Sequence, residues 1–356
     1  MSLIRSVGLP PDRIAWSAVV LGVLWLVTVT RVAPEAAERW VRRYERRCVA
    51  GLSAAAAALS WLWIHAYLMG GPRIVDATSY FLQGRALAAG HLVVPTPEPS
   101  GAFAGRFLLR AADQGLSGIF PPGYPALLAV GHWLGAPLSV GPVLAAALVW
   151  ATWALGRRLF DDPRVGLLAA SISTLCAALR YHTADTMSHA WSTLLGVIVL
   201  LALLRRSTRG ALLAGFCGGW LLATRPVSAL FLGLALGSWL VVERRWRHLL
   251  WVALAALPGL GLLVAHQWLA TGSPWGSTQL AYYAVADGPP GCFRYGFGRG
   301  IGCLVEHGDF VRAGMPEGLG PWQVLAGAGR RLRLHLLDLA NFEPLALLVV
   351  LAPRWL

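Results

Sequence analysis

The chain has 356 residues, 56% of them hydrophobic and only 13% charged, with a net charge of +13. Soluble domains carry about 25% charged residues, so the composition excludes an ordinary soluble domain and implies an integral membrane protein. All 30 basic residues are arginine, and fifteen of them fall in four short segments, Arg31–Arg47, Arg157–Arg164, Arg205–Arg209 and Arg244–Arg247. Short basic loops between apolar stretches mark the cytoplasmic side of a membrane protein. The charge is therefore a topology signal rather than the footprint of a nucleic-acid binder.

Taken in chain order, the apolar runs are Ile14–Thr30, Val49–Met69, Val140–Gly156, Val165–Leu179, Ala190–Leu204, Ala211–Ala223, Val227–Val242 and His248–Trp268. A ninth, Leu345–Pro353, either begins earlier, through Asn341 and Glu343, or belongs to a longer architecture. A span needs about 20 residues, so the shorter runs must extend into flanking polar residues. The expected fold is all-α and polytopic, with eight or nine transmembrane helices. No small-residue cleavage site follows the first run, so it does not read as a signal peptide.

With the basic segments inside, the N-terminus, Gly70–Val140, Arg180–His189, the Thr224-Arg225-Pro226 turn and Ala270–Phe342 lie outside. Every inner loop is short and two outer segments are long, which places the functional loops outside. The expected organisation is an extra N-terminal span with a basic segment over 1–48, and a transmembrane core over 49–268 that includes the outer loop 70–140. An outer glycine- and cysteine-bearing region follows over 269–343, and a partial span over 344–356.

The first long outer segment opens with Asp76. Asp76, Tyr80, Gln83 and Leu87 share one face of a helix by their i, i+4, i+7, i+11 spacing. Two readings fit Asp76: a carboxylate doing proton chemistry at the bilayer surface, or a cap that complements the helix dipole. Further on, Phe120-Pro121-Pro122-Gly123-Tyr124 breaks the chain and starts a helix of about 14 residues ending at His132 and Trp133, better suited to an interface than to a span.

The aspartate and following tyrosine after a core span, and then the Pro-Pro-x-Tyr-Pro helix, resemble the C-type multi-span glycosyltransferases. The nearest kinds are the protein O-mannosyltransferases and lipid A aminoarabinose transferases. Ala154-Leu-Gly-Arg-Arg158 resembles the family's basic inner turn. Arg180-Tyr-His-Thr-Ala-Asp185-Thr-Met-Ser-His189 resembles its acidic outer loop, Leu222-Ala-Thr-Arg225-Pro226 its outer hairpin, and Trp268 to Trp275 the opening of its late outer loop. The likeness covers about Val49 to Trp275. The first span and the early end of the chain depart from it.

The resemblance implies an enzyme that moves a sugar, with inversion, from a polyprenyl-phosphate donor to an acceptor outside the membrane. Such a reaction needs a general base and a cation on the leaving phosphate. Asp76 matches the family's catalytic aspartate. Asp185 is a second acid/base or an orienting carboxylate, or else a turn residue. Arg225 suits bidentate phosphate contact, or else snorkels to the interface. Tyr80, Tyr124, His182 and His189 are further donor or substrate contacts.

In the last outer segment, Cys292 and Cys303 stand eleven apart in a glycine-rich loop. They fit a disulfide contributing about 2–3 kcal/mol in the entropic account, or a metal site with His307 that lacks an obvious fourth ligand. Glu306 and His307 are candidates for acceptor or sugar contact. Gly296-Phe-Gly-Arg-Gly is not preceded by a strand, so it does not read as a nucleotide loop, and no nucleotide cofactor is expected; the need for a divalent metal stays open. The expected partners are membrane lipids, the lipid-linked donor and an acceptor that is a glycan, a lipid or a protein. The expected location is a bacterial inner membrane with the active site facing outward. The alternatives are a transporter or flippase of lipid-linked sugars and a non-catalytic membrane assembly protein, for which Asp76 would be replaceable.

Overall fold

The computed structural model describes residues 34–97, 99–103, 105–111, 115–285, 296–301 and 304–340. It is 74% helical, with 13 helices among the described residues. The runs Ile14–Thr30 and Leu345–Pro353 and the cysteines Cys292 and Cys303 lie outside the described residues. The chain divides into two compact units. The first is built from the described parts of Met1–Gly71, Gly141–Asp185 and His335–Leu356, and the second from those of Pro72–Val140 and Thr186–Leu334. The units interleave along the chain.

In the first unit, α1 (Pro34–Ala66) runs through both the basic segment and the first core run. Arg39–Arg47 is therefore helix rather than loop. Its alanine, glutamate and arginine content is strongly helix-forming, and Pro34 occupies the first helical position, where proline is tolerated. The helix α4 (Val140–Phe160) comes next in this unit, and α5 (Pro163–Leu175) starts from Asp162, whose carboxylate accepts from the Arg164 N–H at 2.8 Å. After a bend of 60° at Cys176 the chain continues as α6 (Ala177–Ala184). Residues 180–184, expected in an outer loop, are thus helical; no proline or glycine announces the bend. Val49, Ala56, Ala145, Val149, Trp153 and Ala170 form the core of this unit.

In the second unit, α2 (Val75–Ala88) packs against α3 (Gly123–Trp133), which ends at the expected tryptophan. Between them the chain forms β1 (Val94–Pro95), β2 (Leu108–Arg110) and β3 (Gly115–Gly118), an antiparallel sheet in the order β1-β3-β2 with Val94 opposite Leu116 and Leu109 opposite Ser117. Strands of two to four residues give too little alternation to be read from sequence. The apolar helices α7 (His189–Leu204), α8 (Thr208–Leu222), α9 (Pro226–Val242) and α10 (Trp246–Thr271) follow the expected runs, α7 and α9 starting one residue earlier and α8 and α10 two to three residues earlier. The helices α11 (Thr278–Val285), α12 (Leu304–Gly314) and α13 (Pro321–Ala340) come after them, α13 counting to this unit only as far as Leu334.

The tightest pairing is α8 against α10. A Cβ on Gly259 would overlap the Gly219 backbone, and one on Gly219 would meet Ala256 Cα at 2.7 Å. Gly215 and Gly219, four apart, let the two backbones meet as small residues do in membrane helices. Leu195, Val199, Leu203, Cys217, Leu221 and Leu240 fill the core beside them.

Among the described residues three helical segments, Arg39–Ala66, Pro137–Phe160 and Trp246–Thr271, are long and apolar enough to cross a membrane, and the bent pair α5–α6 makes a fourth if it is one span. The apolar α7 and α9 have 16 and 17 residues. At 1.5 Å per residue they reach about 24–26 Å, just short of a hydrocarbon core of about 30 Å. The outward faces of α9 and α10 are apolar: Val227, Leu230, Phe231 and Leu234 on α9 and Leu250, Leu254 and Leu257 on α10 are exposed.

Candidate functional site

Of the expected face of α2, Tyr80 and Gln83 are buried and Asp76 and Leu87 are half-buried; Ala77, Ser79 and Gly84 are buried as well. The cap of this helix is Ile74, which makes no side-chain cap bond, so Asp76 sits one residue inside the first turn and is not the cap residue. Its side chain is half-buried, and among the described residues it accepts no hydrogen bond and forms no ion pair.

Tyr80, one turn further, is 5% exposed. Its ring stacks on Phe120 at 4.3 Å and meets Tyr124 edge-on at 5.6 Å, and its hydroxyl donates to Ser188 Oγ at 3.1 Å. Burial pushes the phenol's pKa up. The Ser188 hydrogen bond and the Arg225 guanidinium pull it down, and the Asp76 carboxylate pushes it up again. A cation and an anion therefore both act on this one phenol.

The arginine is set by the turn between α8 and α9. Arg225 precedes Pro226, which keeps its backbone out of the helical region; φ is −143° and ψ 85°. Its N–H donates to Leu221 O at 2.7 Å, and Thr224 Oγ1 donates to Trp220 O at 2.7 Å. The Pro-Pro-Gly-Tyr segment docks on the same turn. Gly123 N donates to Ala223 O at 2.8 Å, and Trp220 Nε1 donates to Gly123 O at 3.0 Å. A side chain at 123 would overlap Thr224 Oγ1 and the Ala223 backbone, so only glycine fits. Like Asp76, the half-buried Arg225 guanidinium has no hydrogen-bond or ion-pair partner among the described residues. Desolvating a cation without a partner is costly.

Beneath the tyrosine lies a buried polar node. Gln83 Nε2 donates to Phe120 O at 2.9 Å and lies 3.2 Å from Nε2 of His266, a residue with no exposed surface. Ser117 Oγ is 3.0 Å from the same nitrogen. An amide nitrogen has two protons, so Gln83 can supply both contacts if His266 Nε2 is the acceptor and the ring proton is on Nδ1. Neither His266 Nδ1 nor Gln83 Oε1 has a hydrogen-bond partner here. Thr186 Oγ1 bonds Ala77 O at 2.9 Å, and Thr278 Oγ1 bonds Ile119 O at 2.7 Å, fixing the backbone on either side.

Not every expected site residue joins this group. His189 is half-buried at the start of α7, in the same unit. Asp185 and His182 belong to the first unit, where Asp185 closes α6 with 1% exposure and His182 stacks edge-on with Tyr181. Arg180, also almost fully buried, lies over the Trp63 ring at 5.9 Å. Glu306 and His307 are on α12, whose side chains at those positions are outside the described set. Among the described residues no three His, Cys, Asp or Glu side chains gather as a metal site.

Sequence reading missed Phe120 and Ser188 as neighbours of Tyr80, and Ser117 and His266 as members of the node around Gln83. Only His266 carried a signal, as a polar residue near the end of an apolar run. No known protein family matches the chain, and no curated protein matches it.

Proposed function

We propose that the protein is a membrane glycosyltransferase that moves a sugar from a polyprenyl-phosphate donor to an acceptor, inverting the anomeric centre, with Asp76 as general base and Arg225 on the leaving phosphate. The observation that carries this reading is that two half-buried groups of opposite charge, Asp76 and Arg225, each without a hydrogen-bond or ion-pair partner among the described residues, both act on the buried Tyr80. A buried charge is expensive unless it is used, and this reaction uses one of each sign. The Asp76 carboxylate takes the proton from the acceptor hydroxyl. The resulting oxygen forms its bond to the anomeric carbon as the bond from that carbon to the phosphate oxygen breaks. The phosphate departs with the electron pair, its charge met by Arg225. Tyr80 is held in place by Ser188, Phe120 and Tyr124. Asp185, His182, His189, Glu306 and His307 remain candidates for acceptor and sugar contact within this reading.

The same reading takes the protein as an eight- or nine-span protein of the bacterial inner membrane, with the short apolar helices completing spans and the arginine-rich ends inside. It is supported by the apolar outward faces and by the arginine segregation.

The reading is tested by incubating the purified protein with a panel of radiolabelled polyprenyl-phosphate sugars and an acceptor extract from the source membranes. One donor is expected to lose its label to the acceptor fraction. Intact donors throughout, with donor binding demonstrated, would point instead to a lipid-linked sugar carrier.

A further inference from the structure

The first unit contains a cavity of about 460 Å³ that the transfer reaction does not use. Its volume is in the range of small-molecule sites, about 300–1,000 Å³. Arg42, Arg43, Arg46 and Arg47 of α1 form one wall, two adjacent rows one turn apart, while Arg157 of α4 and Pro163 of α5 form the other. A single carboxylate lines it, and that group is already engaged. Glu45 is 4% exposed, accepts from Trp153 Nε1 at 2.7 Å and is paired with Arg157. Arg43, Arg46 and Arg47 make no ion pair among the described residues; Arg43 and Arg47 only flank the Tyr44 ring, at 5.5 and 5.8 Å.

We propose that this cavity binds the phosphate of an anionic phospholipid headgroup. Arg43, Arg46 and Arg47, three guanidinium groups without an ion pair among the described residues, beside one neutralised carboxylate leave a positive site, and arginine forks match phosphate oxygens in pairs. The height along α1 fits a lipid rather than a soluble ligand. The apolar run begins at Val49, so at 1.5 Å per residue Arg47 to Arg42 stand about 3–10 Å beyond the hydrocarbon edge, the level of the headgroups. Trp40 is exposed and Tyr44 half-exposed on the same stretch, as interfacial aromatics are. Basic pockets between membrane helices are a recognised setting for anionic headgroups. The inference rests on the membrane topology proposed above and not on sugar transfer, so a protein without transferase activity can still pass the test.

The test uses the full chain, delipidated in detergent, with phosphatidylglycerol, phosphatidylcholine or inorganic phosphate added at constant ionic strength while thermal unfolding is followed. Phosphatidylglycerol is expected to raise the unfolding temperature, whereas phosphatidylcholine leaves it unchanged. The combined variant Arg43→Gln, Arg46→Gln, Arg47→Gln should need far more lipid, roughly fivefold per arginine and on the order of a hundredfold in all. Arg205→Gln, Arg209→Gln, Arg247→Gln removes equal charge from other exposed sites and should keep the wild-type response. Native mass spectrometry, reading the retained phosphatidylglycerol adduct, gives the second measurement should the first variant unfold too easily to titrate. An equal lipid response in both variants overturns the site, and inorganic phosphate acting at the lipid's own concentration overturns the lipid.

Discussion

The N–H of Gly123 donates to the carbonyl of Ala223 at 2.8 Å, joining the turn that opens α3 to the turn that carries Arg225. Trp220 closes the joint from the other side through Gly123 O. The tyrosine after the glycine and the arginine two residues after the alanine are therefore positioned by one contact between two segments a hundred residues apart in sequence.

This joint makes Gly123→Ala costly. The added methyl group meets the Ala223 backbone, and overpacking of this kind costs about 1–3 kcal/mol. Trp220→Phe removes one hydrogen bond and keeps most of the ring, so its cost should be about 1 kcal/mol. Denaturant unfolding in detergent measures both, and the glycine variant is expected to be the less stable.

The buried node yields a coupling prediction. His266→Leu strands the second N–H of Gln83 in an apolar setting, costing about 1–3 kcal/mol. Gln83→Leu removes the other partner. The double variant should be destabilised by less than the sum of the two, with a coupling of about 0.5–3 kcal/mol, as residues sharing a buried contact show. Strict additivity would mean that the 3.2 Å contact contributes nothing.

Acid should act on the first turn of α5. The hydrogen bond from Arg164 holds the Asp162 carboxyl below its ordinary range, reinforced by the Arg164 N–H and by the charges of Arg164 and Arg42. A depressed carboxylate stabilises the fold above its unfolded pKa of about 3.9, and that contribution is lost as pH falls through the lower folded value. Asp162→Ala should cost about 1 kcal/mol at neutral pH, as other N-cap losses do. The difference between variant and wild type should close as the pH is lowered below 4, which thermal unfolding across pH would show.

The parts of this fold that were legible in the sequence are those with a long period and strong contrast. The cores of α4, α7, α8, α9 and α10 are uninterrupted apolar runs, and the face of α2 follows from four residues at helical spacing. The small sheet was not legible, because two to four residues leave no pattern to read. The bend at Cys176 has no breaker residue, and the continuation of α1 through its arginines was hidden because charge was weighed as topology rather than as helix propensity. In the site, Asp76, Tyr80, Tyr124 and Arg225 were each visible as polar residues at the ends of apolar stretches. Ser188 and Phe120, which reach Tyr80, and His266, which reaches Gln83, were not, since these contacts are made only when distant segments fold together.

The central claim is that Asp76 takes a proton, and the most direct measurement is the single-turnover rate of sugar transfer by Asp76→Asn with donor binding measured in parallel. The substitution preserves size. Because Ile74 is the cap, it risks only the dipole interaction, about 0.3–1 kcal/mol. The rate should fall by about 10²–10⁴-fold, as loss of a general base does, while donor affinity is kept; Arg225→Ala should instead weaken donor binding. A folded Asp76→Asn protein that binds donor and transfers sugar at close to the wild-type rate would contradict the assignment.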